Sequence, residues 1–218
     1  MINPNSTILF QGDSITDTGR NREIAEPNRG AALGSGYVNL IAARLLQERP
    51  QDKLSFFNRG ISGNRVTDLY ARWKVDGVNL QPDLISILIG VNDTWHEFMY
   101  GNGVEVDRYT TIYRMLLDYT KQRLPNVQLV LCEPFVLHCG VVTDGWITEM
   151  DERREVVRNL AGEFDAIFVP FQRVLDEALQ QADPAYWAAD GVHPTPAGHR
   201  LLADAWLAAV LPSTVTLG

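Results

Sequence analysis

The sequence predicts an α/β protein built on a five-stranded parallel sheet with helices on both faces, and three observations carry that prediction. Short apolar runs of strand length recur along the 218 residues. Each is followed by a stretch of helical periodicity, an alternation that yields parallel strands joined by right-handed crossovers. The third run, Leu84-Ile85-Ser86-Ile87-Leu88-Ile89, is apolar almost throughout, which marks a central strand covered on both sides. No internal repeat, low-complexity tract or linker breaks the pattern, so residues 1–218 read as one domain, long enough to bury a full core.

In chain order, the first strand covers about Ser6 to Gln11 and stops at Gly12-Asp13-Ser14. The segment from Asp17 to Ser35 is poor in apolar residues and reads as a long surface loop. Helical spacing begins near Tyr37, puts Val38, Ile41, Leu45 and Leu46 on one face, and ends at Pro50. The second strand, Leu54 to Asn58, runs into Arg59-Gly60-Ile61-Ser62-Gly63-Asn64, and Val66, Leu69, Tyr70 and Trp73 mark the next helix. The third strand stops at Gly90-Val91-Asn92-Asp93, ahead of a helix from about Val104 to Leu124. The fourth strand is Gln128 to Cys132, broken by Glu133-Pro134-Phe135. A helix over about Ile147 to Phe164 follows, in which Arg153-Arg154, among Asp151, Glu152 and Glu155, reads as a solvated face. The fifth strand, Ala166 to Val169, leads to a helix over Phe171 to Gln181 and a loop over Ala182 to Pro194. In the last helix Thr195 suits the N-cap and Pro196 the first helical position.

A formal net charge of -8 with no Lys/Arg cluster argues against nucleic acid and against anionic membrane surfaces as partners. The first residues lack the basic and apolar regions of a signal peptide, and no apolar run is long enough to span a bilayer. A cytoplasmic location is therefore expected. Two cysteines, Cys132 and Cys139, make neither a disulfide framework nor a zinc motif. Free thiols suit this reading, and a single bridge stays open.

In open α/β sheets, function gathers at the carboxyl ends of the strands. Three such ends carry small or polar residues here: Gly12-Asp13-Ser14, Gly60 with Asn64, and Gly90 to Asp93. Ser14 at a strand end is placed to act as a nucleophile, and such a serine needs a base. Of His96, His138, His193 and His199, His193 lies in Asp190-Gly191-Val192-His193, in the loop before the last helix and with a carboxylate three residues earlier, while His138 has no acid close before it. Asp190 can fold back to fix one ring nitrogen while the other faces the serine, and Pro194 keeps His193 extended. His199 lies within a helix and suits packing or a hydrogen bond, while His96 could contact substrate. Ser35 and Ser62 are rival nucleophiles, with Ser62 better suited to a turn. No Gly-x-Ser-x-Gly elbow occurs. Oxyanion donors are expected from the Ser14 and Gly60 backbone N–H groups and the Asn92 side-chain amide.

Gly12-Asp13-Ser14, Gly60, Gly90-x-Asn92-Asp93 and Asp190-x-x-His193 together resemble the four blocks of the SGNH (GDSL-type) hydrolases, from residue 12 to residue 193. The resemblance implies a three-layer, flavodoxin-like sheet of order 2-1-3-4-5, with Ser14 as nucleophile, Gly60 and Asn92 as oxyanion donors, His193 as base and Asp190 completing the triad. No cofactor or metal is implied. Ile15-Thr16 departs from the leucine of the GDSL name. Ala32 to Val38, Gly60 to Asn64, Glu133-Pro134-Phe135 and Tyr186 to Asp190 further resemble intracellular acetylxylan esterases. That likeness implies an acetylated saccharide as substrate and a homo-oligomer as assembly. Trp95 and Trp187, close to Asn92 and Asp190, are candidates to border the pocket and hold a sugar ring; ordinary packing is the alternative for both.

Thioesterase and lysophospholipase activities of the same superfamily remain alternatives. A metal-dependent phosphoesterase is a reading of another class, but the sequence has neither Asp-x-His after the first strand nor Gly-His-x-His. A nucleotide-binding module is a third, and the first loop lacks a phosphate-loop pattern.

Overall fold

The computed structural model describes residues 2–211. Five parallel strands form one sheet of order β2-β1-β3-β4-β5. They are β1 (Thr7–Gly12), β2 (Ser55–Asn58), β3 (Leu84–Leu88), β4 (Gln128–Cys132) and β5 (Ile167–Val169). The fold is therefore the expected flavodoxin-like α/β arrangement, and the strand order reverses between β1 and β3. Register aligns Phe10 with Asn58 on one side and Gly12 with Leu88 on the other, so the three polar strand ends finish side by side.

The helices are α1 (Ser14–Asp17), α2 (Gly30–Leu33), α3 (Tyr37–Glu48), α4 (Val66–Asp76), α5 (Val91–Tyr100), α6 (Val106–Arg123), α7 (Asp144–Glu163), α8 (Phe171–Ala178), α9 (Pro184–Trp187) and α10 (Pro196–Val210). Alternation along the strands divides the core in two. Ile8, Phe10, Phe56 and Val130 pack with α3, α8 and α10, while Leu9, Ile85, Ile87, Leu129 and Leu131 pack with α4, α6 and α7. β3 is buried along its whole length, as its composition requires. Trp206 reaches the sheet from α10 and donates to Ser86 Oγ at 2.9 Å, satisfying the hydroxyl in that apolar run. Thr195 caps α10 by accepting the Gly198 N–H, with Pro196 in the first turn. Among the described residues no helix is long and apolar enough to cross a membrane.

Four expectations need correction. The segment from Asp17 to Ser35 is less irregular than its composition suggests, because α2 sits within it and α1 runs up to its start. Between the third strand and Val104, where no helix is expected from the sequence, α5 begins at Val91 directly after β3. Likewise α9 interrupts the loop before Pro194. Arg153 and Arg154 do not form a solvated face: Arg153 is fully buried and Arg154 nearly so. The reason is a set of partners drawn from other elements and from α7 itself. Arg153 donates to Thr94 Oγ1 and to the Val104 carbonyl, pairs with Glu149, and lies over the Tyr109 ring at 5.0 Å. Arg154 pairs with Asp151 and Gln172.

Candidate active site

β1 delivers Asp13 and Ser14 to the sheet's carboxyl edge. Asp13 acts as N-cap of α1: its Oδ1 accepts the Ile15 N–H at 3.0 Å, and its carbonyl accepts from Thr16 and Asp17. Ser14 thus occupies the first helical position, and its Oγ lies 2.9 Å from His193 Nε2. On the other face of the ring, His193 Nδ1 lies 2.6 Å from Asp190 Oδ2. Asp190 Oδ1 accepts the N–H groups of Val192 and His193, at 2.9 and 2.7 Å. Burial raises the proton affinity of Asp190, but the His193 ring and these two N–H groups outweigh it and hold the carboxyl below its usual range. An ionised Asp190 fixes the proton on Nδ1, which leaves Nε2 free to accept from Ser14.

Asn92 comes from the first turn of α5, is 6% exposed, and donates from Nδ2 to the Asn64 carbonyl at 3.2 Å. That bond orients the amide and leaves its second N–H free. The Ser14 N–H has no acceptor among the described residues. Gly60 is different. Its N–H donates to Asn58 Oδ1 at 2.9 Å and its carbonyl accepts from Arg20, so the structure withdraws Gly60 as an oxyanion donor. The same loop offers another candidate in Gly63, whose N–H has no acceptor among the described residues. Its φ of +83° favours glycine, and the next carbonyl, of Asn64, is the one that holds Asn92.

Two buried carboxyls support these strand ends. Asp93 accepts the Val66 N–H at 3.0 and 3.2 Å, tying α5 to the start of α4. Burial lifts it to about 7 despite the opposing Arg153 charge. Asp13 is likewise pushed up to about 7 by burial, against the Ile15 N–H and His193, and its Oδ2 meets no partner. A proton on that oxygen removes the cost of an unpaired buried charge.

The sequence and structure agree with known relatives. Residues 10–201 match the GDSL-like Lipase/Acylhydrolase family. The chain belongs to that family. It is 40% identical over 204 residues to an acetylxylan esterase of Geobacillus stearothermophilus, covering 92% of this chain and 91% of that one. A solved protein of Parabacteroides merdae described as GDSL-like superposes with a TM-score of 0.93 at 46% identity, over 96% of this chain and 97% of the other. A catalytic mutant of the Geobacillus esterase superposes at 0.89 with 38% identity, over 97% of each chain. The protein is thus a carboxylic ester hydrolase of the GDSL type.

Around this esterase site, Trp95 packs beside the His193 ring at 5.6 Å and against Trp146 at 5.4 Å. Trp187 is only 7% exposed, donates to the Ala182 carbonyl and packs in the core. Tyr186, edge-on to it at 4.9 Å, carries the exposed ring instead. His96 stands edge-on to Tyr100, further along α5. His199 accepts the Tyr37 N–H through Nδ1, and burial, with His193 adding to it, lowers it to about 4. Neither rival serine meets a histidine: Ser35 donates to the Thr18 carbonyl and Ser62 to Asp17. Cys132 and Cys139 are free thiols. Among the described residues no three His, Cys, Asp or Glu gather as a metal site.

Proposed function

We propose that the protein removes short acyl groups, acetyl above all, from O-acylated saccharides by way of an acyl-enzyme on Ser14. The observation that carries this reading is the unbroken hydrogen-bonded line from Ser14 Oγ through His193 to Asp190. Ser14 Oγ attacks the ester carbonyl while His193 Nε2 takes its proton, and Asp190 stabilises the imidazolium that forms. The carbonyl oxygen becomes an oxyanion received by the Ser14 N–H, the Gly63 N–H and Asn92 Nδ2, each donor worth a few kcal/mol of barrier at about 3 Å. Collapse of this adduct breaks the bond to the sugar oxygen, which leaves with the proton from His193. Water, deprotonated by the same nitrogen, then cleaves the acyl-serine and regenerates Ser14.

Support for the saccharide comes from the Geobacillus relative, which is described as an acetylxylan and acetyl-xylooligosaccharide esterase. Its catalytic mutants replace a serine, an aspartate and a histidine. There the aspartate precedes the histidine by three positions, as Asp190 precedes His193. Trp95, beside His193, is the aromatic surface best placed to meet the sugar. Release of acetate from acetylated xylo-oligosaccharides should exceed cleavage of acetyl-CoA or a lysophospholipid by more than about tenfold in kcat/KM. A thioester or lysolipid that wins overturns the substrate assignment.

A further inference from the structure

Beside the oxyanion turn lies a cationic cluster unlike the rest of this acidic chain. Arg20 is 7% exposed; its Nε donates to the Gly60 carbonyl at 2.8 Å, and its two terminal nitrogens have no partner among the described residues. Burial lowers its proton affinity to about 10, with Asp17 opposing and Arg59, Arg22 and Arg72 adding to the fall, so it stays charged at neutral pH. Arg59 lies over the Phe57 ring at 5.7 Å and forms no ion pair among the described residues.

Asp17 attracts Arg20 but forms no ion pair with its guanidinium, and no other carboxylate among the described residues does so. Asp17 is saturated by Arg22, the Arg20 N–H, and the N–H and hydroxyl of Ser62. Asp76 pairs with Arg72, which also donates to Asn64, Gln11 and the carbonyls of Arg59 and Gly12. Glu23 and Glu26, in the exposed loop that follows Arg20, pair with none of these arginines. Arg20 and Arg59 therefore keep unspent positive charge. The cluster joins the reaction centre directly: Arg20 holds Gly60, Asp17 holds Ser62, and Arg72 holds Asn64, the residue that orients Asn92. A guanidinium kept nearly out of water with free terminal donors is a pre-formed seat for a carboxylate.

We propose that Arg20 and Arg59, flanked by Arg22, form a subsite for a carboxylate carried on the substrate, so that the preferred ester is an acetylated oligosaccharide bearing a uronic acid. This rests on the esterase reading of Ser14. On a chain of net charge -8, an acidic substrate meets general repulsion, and a local cationic cluster at the site is what overcomes it.

The test compares an acetylated xylo-oligosaccharide with the same compound carrying one glucuronate, using wild-type enzyme at low and high salt. The charged ester should be favoured by about tenfold in kcat/KM at low ionic strength, and the advantage should shrink at about 0.5 M NaCl. Arg59→Gln should cut the charged-to-neutral ratio severalfold, whereas Arg173→Gln, on the remote α8, should leave that ratio unchanged. Inorganic phosphate and free glucuronate serve as competing probes. Inhibition by both with no preference for the charged ester would show an anion seat unconnected with substrate, and would overturn the proposal. So would equal rates on the two esters in every variant. Failure to cleave even the neutral ester would instead count against the esterase reading itself.

Discussion

On one side of the Ser14 hydroxyl, residues sit on strand ends sealed by buried polar groups; on the other, a loop carries Asp190 and His193 with 37% and 45% of their side chains exposed. The first side is set by burial. Asp13 caps α1, Asp93 binds α4, and Asn58 and Arg20 hold Gly60, all of them removed from water. The second side is set by backbone. The Leu137 N–H donates to the Gly191 carbonyl at 2.8 Å, the Val141 N–H to the Asp190 carbonyl at 3.1 Å, and Cys139 Sγ to the Ala188 carbonyl at 3.3 Å. Gly140 and Gly191 both have positive φ, and a Cβ on Gly140 would run into the Asp190 backbone. The contrast shows two ways of pre-organising one reaction: the oxyanion side tolerates little change in buried charge, whereas the base depends on how closely two turns approach.

The largest break in this arrangement is loss of the base. His193→Ala should lower kcat by about 10⁶-fold and Asp190→Asn by about 10⁴-fold, because the asparagine amide donates to Nδ1 and so holds the ring in the tautomer that cannot accept from Ser14. Steady-state kinetics on 4-nitrophenyl acetate reads both, and the reverse ranking would contradict the assigned roles. On the opposite side, Asn92→Ala removes one oxyanion donor and should cost about 10²–10³ in kcat with little change in KM. Gly140→Ala tests the turn contact. It should lower kcat about tenfold by shifting Asp190, while leaving the oxyanion side and its affinity for a boronic acid largely intact.

The smallest effect at neutral pH belongs to Asp13→Asn, which keeps an oxygen for the Ile15 N–H and fills the unpartnered Oδ2 position with an uncharged group. Asp13 is raised to about 7 in the fold from the 3.8 of a free carboxyl, so the folded state holds a proton that the unfolded chain releases. Its contribution to stability is then fully present below about pH 4 and is lost as pH rises through 7. Thermal unfolding followed across that window should show a flatter pH dependence in the variant than in the wild type.

The legible parts of the molecule were those that depend on local pattern. Apolar runs gave away the strands, Thr195-Pro196 the start of α10, and the three-residue spacing of Asp190 and His193 a bond that closes within one loop. Features decided by distant partners stayed hidden. Whether the N–H of Gly60 or of Gly63 faces the site depends on where Asn58 points its side chain, which adjacency in sequence does not reveal. Arg153 among acids looks the same in sequence whether it meets water or Thr94, Val104 and Tyr109. The start of α5 is hidden because Gly-Val-Asn-Asp resembles a turn, while the donor to its first-turn carboxylate, the Val66 N–H, comes from another helix. Trp187 carried no mark of its burial beyond an apolar ring.

The most direct test of the account is to find the acyl group. Enzyme mixed with 4-nitrophenyl acetate, quenched in acid and digested, should carry one acetyl group on the peptide that contains Ser14, with a burst of nitrophenol to match. Ser14→Ala should show neither. An acetyl group on another residue, or steady turnover by Ser14→Ala at near wild-type rate, would contradict the account.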